Sequence, residues 1–154
     1  MGAKVKNPRK VFLFSLTFPK HPINTYLFQK CTLPDIEIEQ VAHGDINRDV
    51  KTAGRVTIGN LIVEKLSTTS GSDTWLHDWL YSCQDHIVGG GLTPSEYWET
   101  VIVNELAEDG VSVINTHLFE EVWPCKVNGV ELDRMSSDNT IESIEFSVGT
   151  ADKY

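Results

Sequence analysis

The stretch "DIEIEQ" (residues 35–40) alternates without a break, with Ile36 and Ile38 on one side and Glu37 and Glu39 on the other. A side-chain period of two is that of a β-strand with one apolar and one acidic face. The apolar face is expected to be buried. The acidic face either meets water, as solvated strand faces do, or lines something. Alternation resumes in "RVTIGNLIVEKL" (Arg55–Leu66) after "VAHGDINRDVKTAG", so the chain runs out and returns as an extended hairpin over 33–66. Arms of ten to fourteen residues would measure about 33–46 Å, against a diameter of about 40 Å for a compact chain of this size. Either the hairpin coils around the core or its tip stands clear. That tip, His43–Gly54, holds His43, Asp45, Ile46, Asn47, Arg48, Val50 and Lys51, with Ile46 and Val50 as its main apolar bulk. It reads as a docking element or as an ordinary twelve-residue loop.

Outward from the hairpin the pattern stays β-rich. "VFLFSLTF" (Val11–Phe18), bounded by Pro19 and Pro22, reads as the first strand, and "TYLFQKCTL" (Thr25–Leu33) as its hairpin partner. After the small-residue linker "STTSGS", Ser72 is a suitable N-cap for a helix over 72–86. Trp75, Leu76, Trp79, Leu80 and Cys83 form one stripe of that helix, which fits core packing better than a ligand cage. Gly89–Gly91 stops it. "YWETVIVNEL" (Tyr97–Leu106) and "VSVINTHLFEEVW" (111–123) form a hairpin around Glu108-Asp109-Gly110, and Pro124 ends the second strand or places it at an edge or bulge. "NGVELD" (128–133) and "TIESIEFSV" (140–148) close the chain as a last hairpin, with Ile144, Phe146 and Val148 facing inward. About eight strands and one helix make a mainly β fold, an antiparallel barrel or sandwich with one flanking α-helix.

A chain of 154 residues is sized for one domain, 1–154, that builds its core without a metal or disulfide staple. Residues 11–154 carry 22 acidic against 9 basic residues, a difference of −13, which repels nucleic acid. The remaining four basic residues lie in a 1–10 arm that is a solvated tail or docks to an acidic neighbour. No apolar run approaches the ~20 residues of a membrane span. "MGAKVKNPRK" has no apolar signal core, so a cytoplasmic product is expected. Cys31, Cys83 and Cys125 are odd in number and unpaired by motif, and fit reduced thiols or a bond between subunits.

Chemistry is thinly represented. None of the five histidines forms HxH or HxxxH, and His77 and Cys83 do not share a helix face. There is no GxSxG, and "GGG" lacks the Lys-Ser/Thr of a phosphate loop. Glu120 with Glu121 is the candidate pair for a small β-barrel enzyme, the remote alternative. No catalytic residue, metal or cofactor is expected.

The ending carries a resemblance. Trp123-Pro124 closing an aromatic-rich strand, the "G-x-x-L-D" of Gly129–Asp133 with Leu132 and Asp133, and the "I-E-x-x-E-F" of Ile141–Phe146 with Ile141, Glu142 and Phe146 resemble the C-terminal signature of tail tube proteins of contractile-tailed bacteriophages. "TLP" at Thr32–Pro34 and the helix around Asp73–Trp79 follow the same order. The likeness starts near Val11 and spans the rest of the chain; Val88–Trp98 departs from it. Tubes of phage-derived injection systems and bacteriocins look similar.

The resemblance implies a non-enzymatic virion component: six-subunit rings stacked into a tube inside a contractile sheath, conducting double-stranded DNA that is not specifically bound. It implies a fold shared with type VI secretion tubes, sheets of neighbouring subunits joined at their edges, and a long hairpin that reaches an adjacent ring. The implied partners are copies of the chain, the tail sheath protein, and baseplate, initiator and terminator proteins, with no membrane binding. Assembly would occur in the host cytoplasm. Glu37 and Glu39 would then face the lumen, and residues 43–51 would stack rings. An injection-system or bacteriocin tube, or a baseplate tube initiator, is the alternative within the same fold.

Overall fold

The computed structural model describes residues 8–20, 28–67 and 75–154. Nine strands and two helices follow in the order β1 (Phe14–Thr17), β2 (Phe28–Thr32), β3 (Ile36–Gly44), β4 (Asp49–Ile58), β5 (Leu61–Leu66), α1 (Trp75–Cys83), α2 (Pro94–Tyr97), β6 (Glu99–Leu106), β7 (Val113–Val127), β8 (Ile141–Ser147) and β9 (Thr150–Lys153). The main sheet runs β1-β6-β7-β8-β5-β2, with β9 also on β7, and every ladder is antiparallel.

β7 joins the two halves of this sheet. Its first half pairs with β6 and β9, and its second half with β8. The change of partner falls at Glu121, whose φ is 56°, and a register shift follows between Pro124 and Lys126. Pro124, buried at that irregularity, sits inside the strand because a bulge needs no ladder donor from it. Two faces result, β1-β6-β7-β9 and β2-β5-β8-β7, packed as a sandwich and not closed into a barrel.

The core follows strand parity. Leu61 and Val63 on β5, Val101 and Val103 on β6, and Ile144, Phe146 and Val148 along and just beyond β8 are buried, while their neighbours point outward. Phe18 sits at the centre, with ring centroids 5.7 Å from Phe28, 5.2 Å from Trp75, 6.3 Å from Trp79 and 5.7 Å from Phe146. Such edge-on and tilted aromatic contacts each add about 0.5–1.5 kcal/mol beyond area burial. Leu76 and Trp79 are the buried residues of α1, with Trp75 and Cys83 packed on the core and Leu80 half-buried. Ser72 lies outside the described residues. The helix ends at Cys83, and the left-handed Gly89 (φ 84°) and Gly90 (φ 79°) turn the chain toward α2. There the Trp79 indole N–H donates to the Tyr97 carbonyl at 2.8 Å.

Four expectations need correction. The first strand is shorter than Val11–Phe18, and β1 and β2 are not hairpin partners: β1 pairs with β6 and β2 with β5. Phe18 and Phe28 meet ring to ring instead of the two strands pairing edge to edge. "NGVELD" forms no strand, because β7 continues to Val127 and pairs with the β8 edge that segment would have needed. The final ladder comes from β9, which had no expected counterpart. Finally, Ile36 and Ile38 are not buried but 59% and 54% exposed.

That exposure defines the hairpin. β3 and β4 form a two-stranded sheet of their own, continuing from β2 and into β5. Every residue from 35 to 57 is exposed, so its arms, about 30 Å long, stand clear of the core. The expected twelve-residue tip is mostly strand: only 45–48 turn, closed by Asp45 N–H to the Arg48 carbonyl at 2.8 Å.

Candidate assembly surfaces

The hairpin's register sorts its side chains. Ile36 pairs with Ile58 and Ile38 with Val56, which puts four branched aliphatics on one face. Ile58 packs on the core, while Ile36, Ile38 and Val56 remain 59%, 54% and 58% exposed. Glu37 pairs with Thr57 on the opposite face, followed by Glu39, Val41 opposite Thr52, and His43 opposite Val50. A register shift places Gly54 and Arg55 against Glu39. The backbone comes close there: a Cβ on Gly54 would lie 3.0 Å from Val41 Cγ2. Glu37 and Glu39 thus share one exposed face.

The tip residues fall into two groups. His43, Val50 and Lys51 belong to the strands, with His43 and Val50 cross-strand neighbours, while Asp45, Ile46, Asn47 and Arg48 make the turn. Asp45 Oδ1 accepts the Ile46 N–H at 2.7 Å, holding the turn while the Ile46 side chain stays 94% exposed. Position 46 therefore offers an unobstructed apolar point.

The C-terminal signature residues divide likewise. Trp123 packs edge-on against Tyr97 at 6.0 Å, and Pro124 and Phe146 are buried. Glu142 is buried beside Lys65: Nζ and Oε2 stand 4.0 Å apart, and His77 Nε2 reaches Oε1 at 2.9 Å. Lys65 escaped notice in the sequence, although parity from Leu61 and Val63 already pointed it inward. Leu132, Asp133 and Ile141 are exposed.

Among the described residues no group of three or more His, Cys, Asp or Glu is placed to hold a metal ion. The expected acidic pair does not converge on a cleft: Glu120 and Glu121 are both exposed, and Glu121 turns against Gly149. Burial pushes the Cys31 thiol up to about 12, and Cys83 and Cys125 are also raised by burial, which disfavours the nucleophilic thiolate. The three cysteines form no disulfide within the chain. No helix among the described residues is long and apolar enough to cross a membrane.

Among curated proteins, none matches the sequence. Several solved structures share the fold. One is the anti-feeding prophage cap, described as an AFP tube terminating cap (13% identity, all of this chain and 95% of that one, TM-score 0.81). A second is a chain of the PVC sheath-tube complex of an extracellular contractile injection system in its extended state (16% identity, 97% and 93%, TM-score 0.78). A third is Hcp1 from Flavobacterium johnsoniae (18% identity, 92% and 94%, TM-score 0.59). The T4-like virus tail tube protein gp19 family matches over residues 10–150. With nearly its whole length matched, this chain belongs to the family of the T4-like virus tail tube protein gp19.

Proposed function

We propose that the chain is a structural, non-enzymatic subunit that polymerises with copies of itself into the tube of a contractile tail, as six-subunit rings stacked one on another. The observation that carries this reading is the apolar face of Ile36, Ile38 and Val56 on a hairpin standing clear of its own core. A soluble protein gains about 25 cal/mol per Å² by covering such a face, and another copy is the surface a homopolymer supplies. Ile46, at the tip, would anchor one ring on the next. The sheath would surround the tube, with a baseplate or initiator at one end and a terminator at the other; sheath, baseplate and terminator are the assemblies in which structural neighbours of this fold are found. The tube would assemble in the host cytoplasm and serve in the virion tail, or in a phage-derived injection system.

Glu37 and Glu39 give the bore its chemistry in this reading. Two carboxylates per subunit make twelve in a six-fold ring, and their field reaches about 8 Å at physiological ionic strength. Duplex DNA would pass without sticking, whereas a cationic wall would bind it through counterion release. The 1–154 chain acts as one tube domain, with 33–66 as its assembly arm.

Negative-stain electron microscopy of the purified protein tests the proposal. Rings or tubes with an open bore are expected, and a stable monomer at high concentration would overturn it. The fold shared with a tube-terminating cap favours a second reading, an end-of-tube protein, which would give single rings that do not stack.

A further inference from the structure

The main ladder ends on β1 and β2, so among the described residues each presents one strand edge without a ladder partner. Between them lies a groove of about 960 Å³, whose walls include Phe12, Phe14, Cys31 and Leu33. Its rim is cationic. Among the described residues, Arg9, Lys10, Lys30 and Lys153 line it against one carboxylate, Glu105, which is held by Arg9. In a chain of net charge −9, this is a local reversal of sign.

Elsewhere the chain carries a strand pattern without a ladder. Val130 and Leu132 alternate with Glu131 and Asp133, yet 128–140 contains no strand. Its ends are held beside β5 and β8, by Asn128 N–H to the Ser143 carbonyl and Ser67 N–H to the Thr140 carbonyl, both at 2.9 Å. Those strands lie inward of the free β2 edge in the sheet order. Between these anchors Leu132 and Met135 are 84% and 93% exposed. The segment puts Glu131 and Asp133 on one parity and Val130 and Leu132 on the other, with Arg134 following them, and the groove is basic, apolar-walled and bordered by strand edges.

Resting on the reading of the chain as a self-assembling subunit, we propose that the groove between β1 and β2 takes residues 129–135 of a second copy as an added strand. Backbone pairing to the exposed edge would supply affinity. Val130 and Leu132 would meet the groove walls, and Glu131 and Asp133 its lysines. Because groove and segment are different surfaces of one chain, the contact is heterologous and repeats from copy to copy until it closes into a ring. It also removes a strand edge that invites indiscriminate pairing.

A charge-swap mixture tests this. One variant carries Glu131→Lys and Asp133→Lys, the other Lys30→Glu and Lys153→Glu; all four positions are exposed, so both should fold, as circular dichroism can verify. In sedimentation velocity each variant alone is expected to shift from oligomer to monomer. An equimolar mixture is expected to regain the wild-type oligomer, since each groove then faces a segment of opposite charge. A mixture that stays monomeric, or either variant assembling like wild type, overturns the proposal. Loss of assembly only in the groove variant means the groove takes a different occupant and overturns it too. Wild-type protein that is itself monomeric would sink the parent reading along with it, whereas wild-type rings with unaffected variants sink this inference alone.

Discussion

Lys65 and Glu142 stand directly opposite one another across the β5–β8 ladder, with Nζ and Oε2 4.0 Å apart and both side chains withdrawn from solvent. His77 closes the arrangement from α1, its Nε2 2.9 Å from Oε1. Breaking a buried ion pair by removing one partner typically costs about 3–5 kcal/mol, while replacing both partners with apolar groups of similar volume is often nearly neutral. Glu142→Ala is therefore expected to lower unfolding stability by about 3–5 kcal/mol. Lys65→Met with Glu142→Leu should recover most of that loss. Urea unfolding of the three proteins decides it, and a double variant as unstable as Glu142→Ala would show the pair to be net stabilising.

Glu105 gives a pH signature. The Asn115 side-chain amide, donating at 3.0 Å, is the largest influence holding its carboxyl down to about 2; partial burial works the other way, and His117 and Arg9 add to the lowering. A carboxyl whose folded value lies below its ordinary 4.5 contributes stability above that pH and loses it as pH falls through the folded value. With its side chain still 30% exposed, the contribution is discounted for screening to about 1–2 kcal/mol. Glu105→Gln should then be less stable than wild type by that amount at pH 7. The gap should narrow below pH 4.5 and vanish near pH 2; a constant gap would mean that packing, not charge, carries the effect.

The apolar hairpin face separates folding from assembly. Exposed positions away from the core change stability by only about 0.5 kcal/mol. Ile36→Thr with Ile38→Thr and Val56→Thr should keep the wild-type melting temperature within a few degrees, because strand propensity survives and no core contact is lost. Electron microscopy of the same protein should show no stacked tubes. Tubes from the triple variant would place the stacking contact elsewhere.

Parity made much of the core legible. Alternation in "IESIEFSV" pointed Ile144, Phe146 and Val148 inward, and the α1 stripe placed Leu76 and Trp79. Parity names a face but not a neighbour. Short strands such as β1 and β2 therefore suggested a local hairpin, although each pairs with a strand far along the chain. Nor does parity say who covers a face. Ile36 and Ile38 look like core residues in sequence because the pattern of a buried strand is the same whether one chain or two complete it. Pro124 signalled an irregularity, but the left-handed backbone at Glu121 that turns β7 from one partner to the next leaves no mark in residue type, since glutamate is unusual there.

That turn can be probed directly. Gly149 lies against Glu121, its N–H donating to the Glu120 carbonyl at 3.1 Å, and a Cβ built at 149 would fall 2.3 Å from Glu121 Oε2 and 2.6 Å from its Cβ. The carboxylate can swing away, but the Cβ cannot without moving β7. Gly149→Ala should thus cost about 1–3 kcal/mol through overpacking. Glu121→Gly removes both the obstructing side chain and a left-handed strain of about 1 kcal/mol, partly offset by chain entropy, so alone it should be close to neutral. In that background Gly149→Ala should cost far less, giving a coupling of at least about 1 kcal/mol in a double-mutant cycle measured by urea unfolding. Additive costs would mean that β7 turns for reasons independent of this contact, and that the break between β8 and β9 does not depend on a glycine facing the kink.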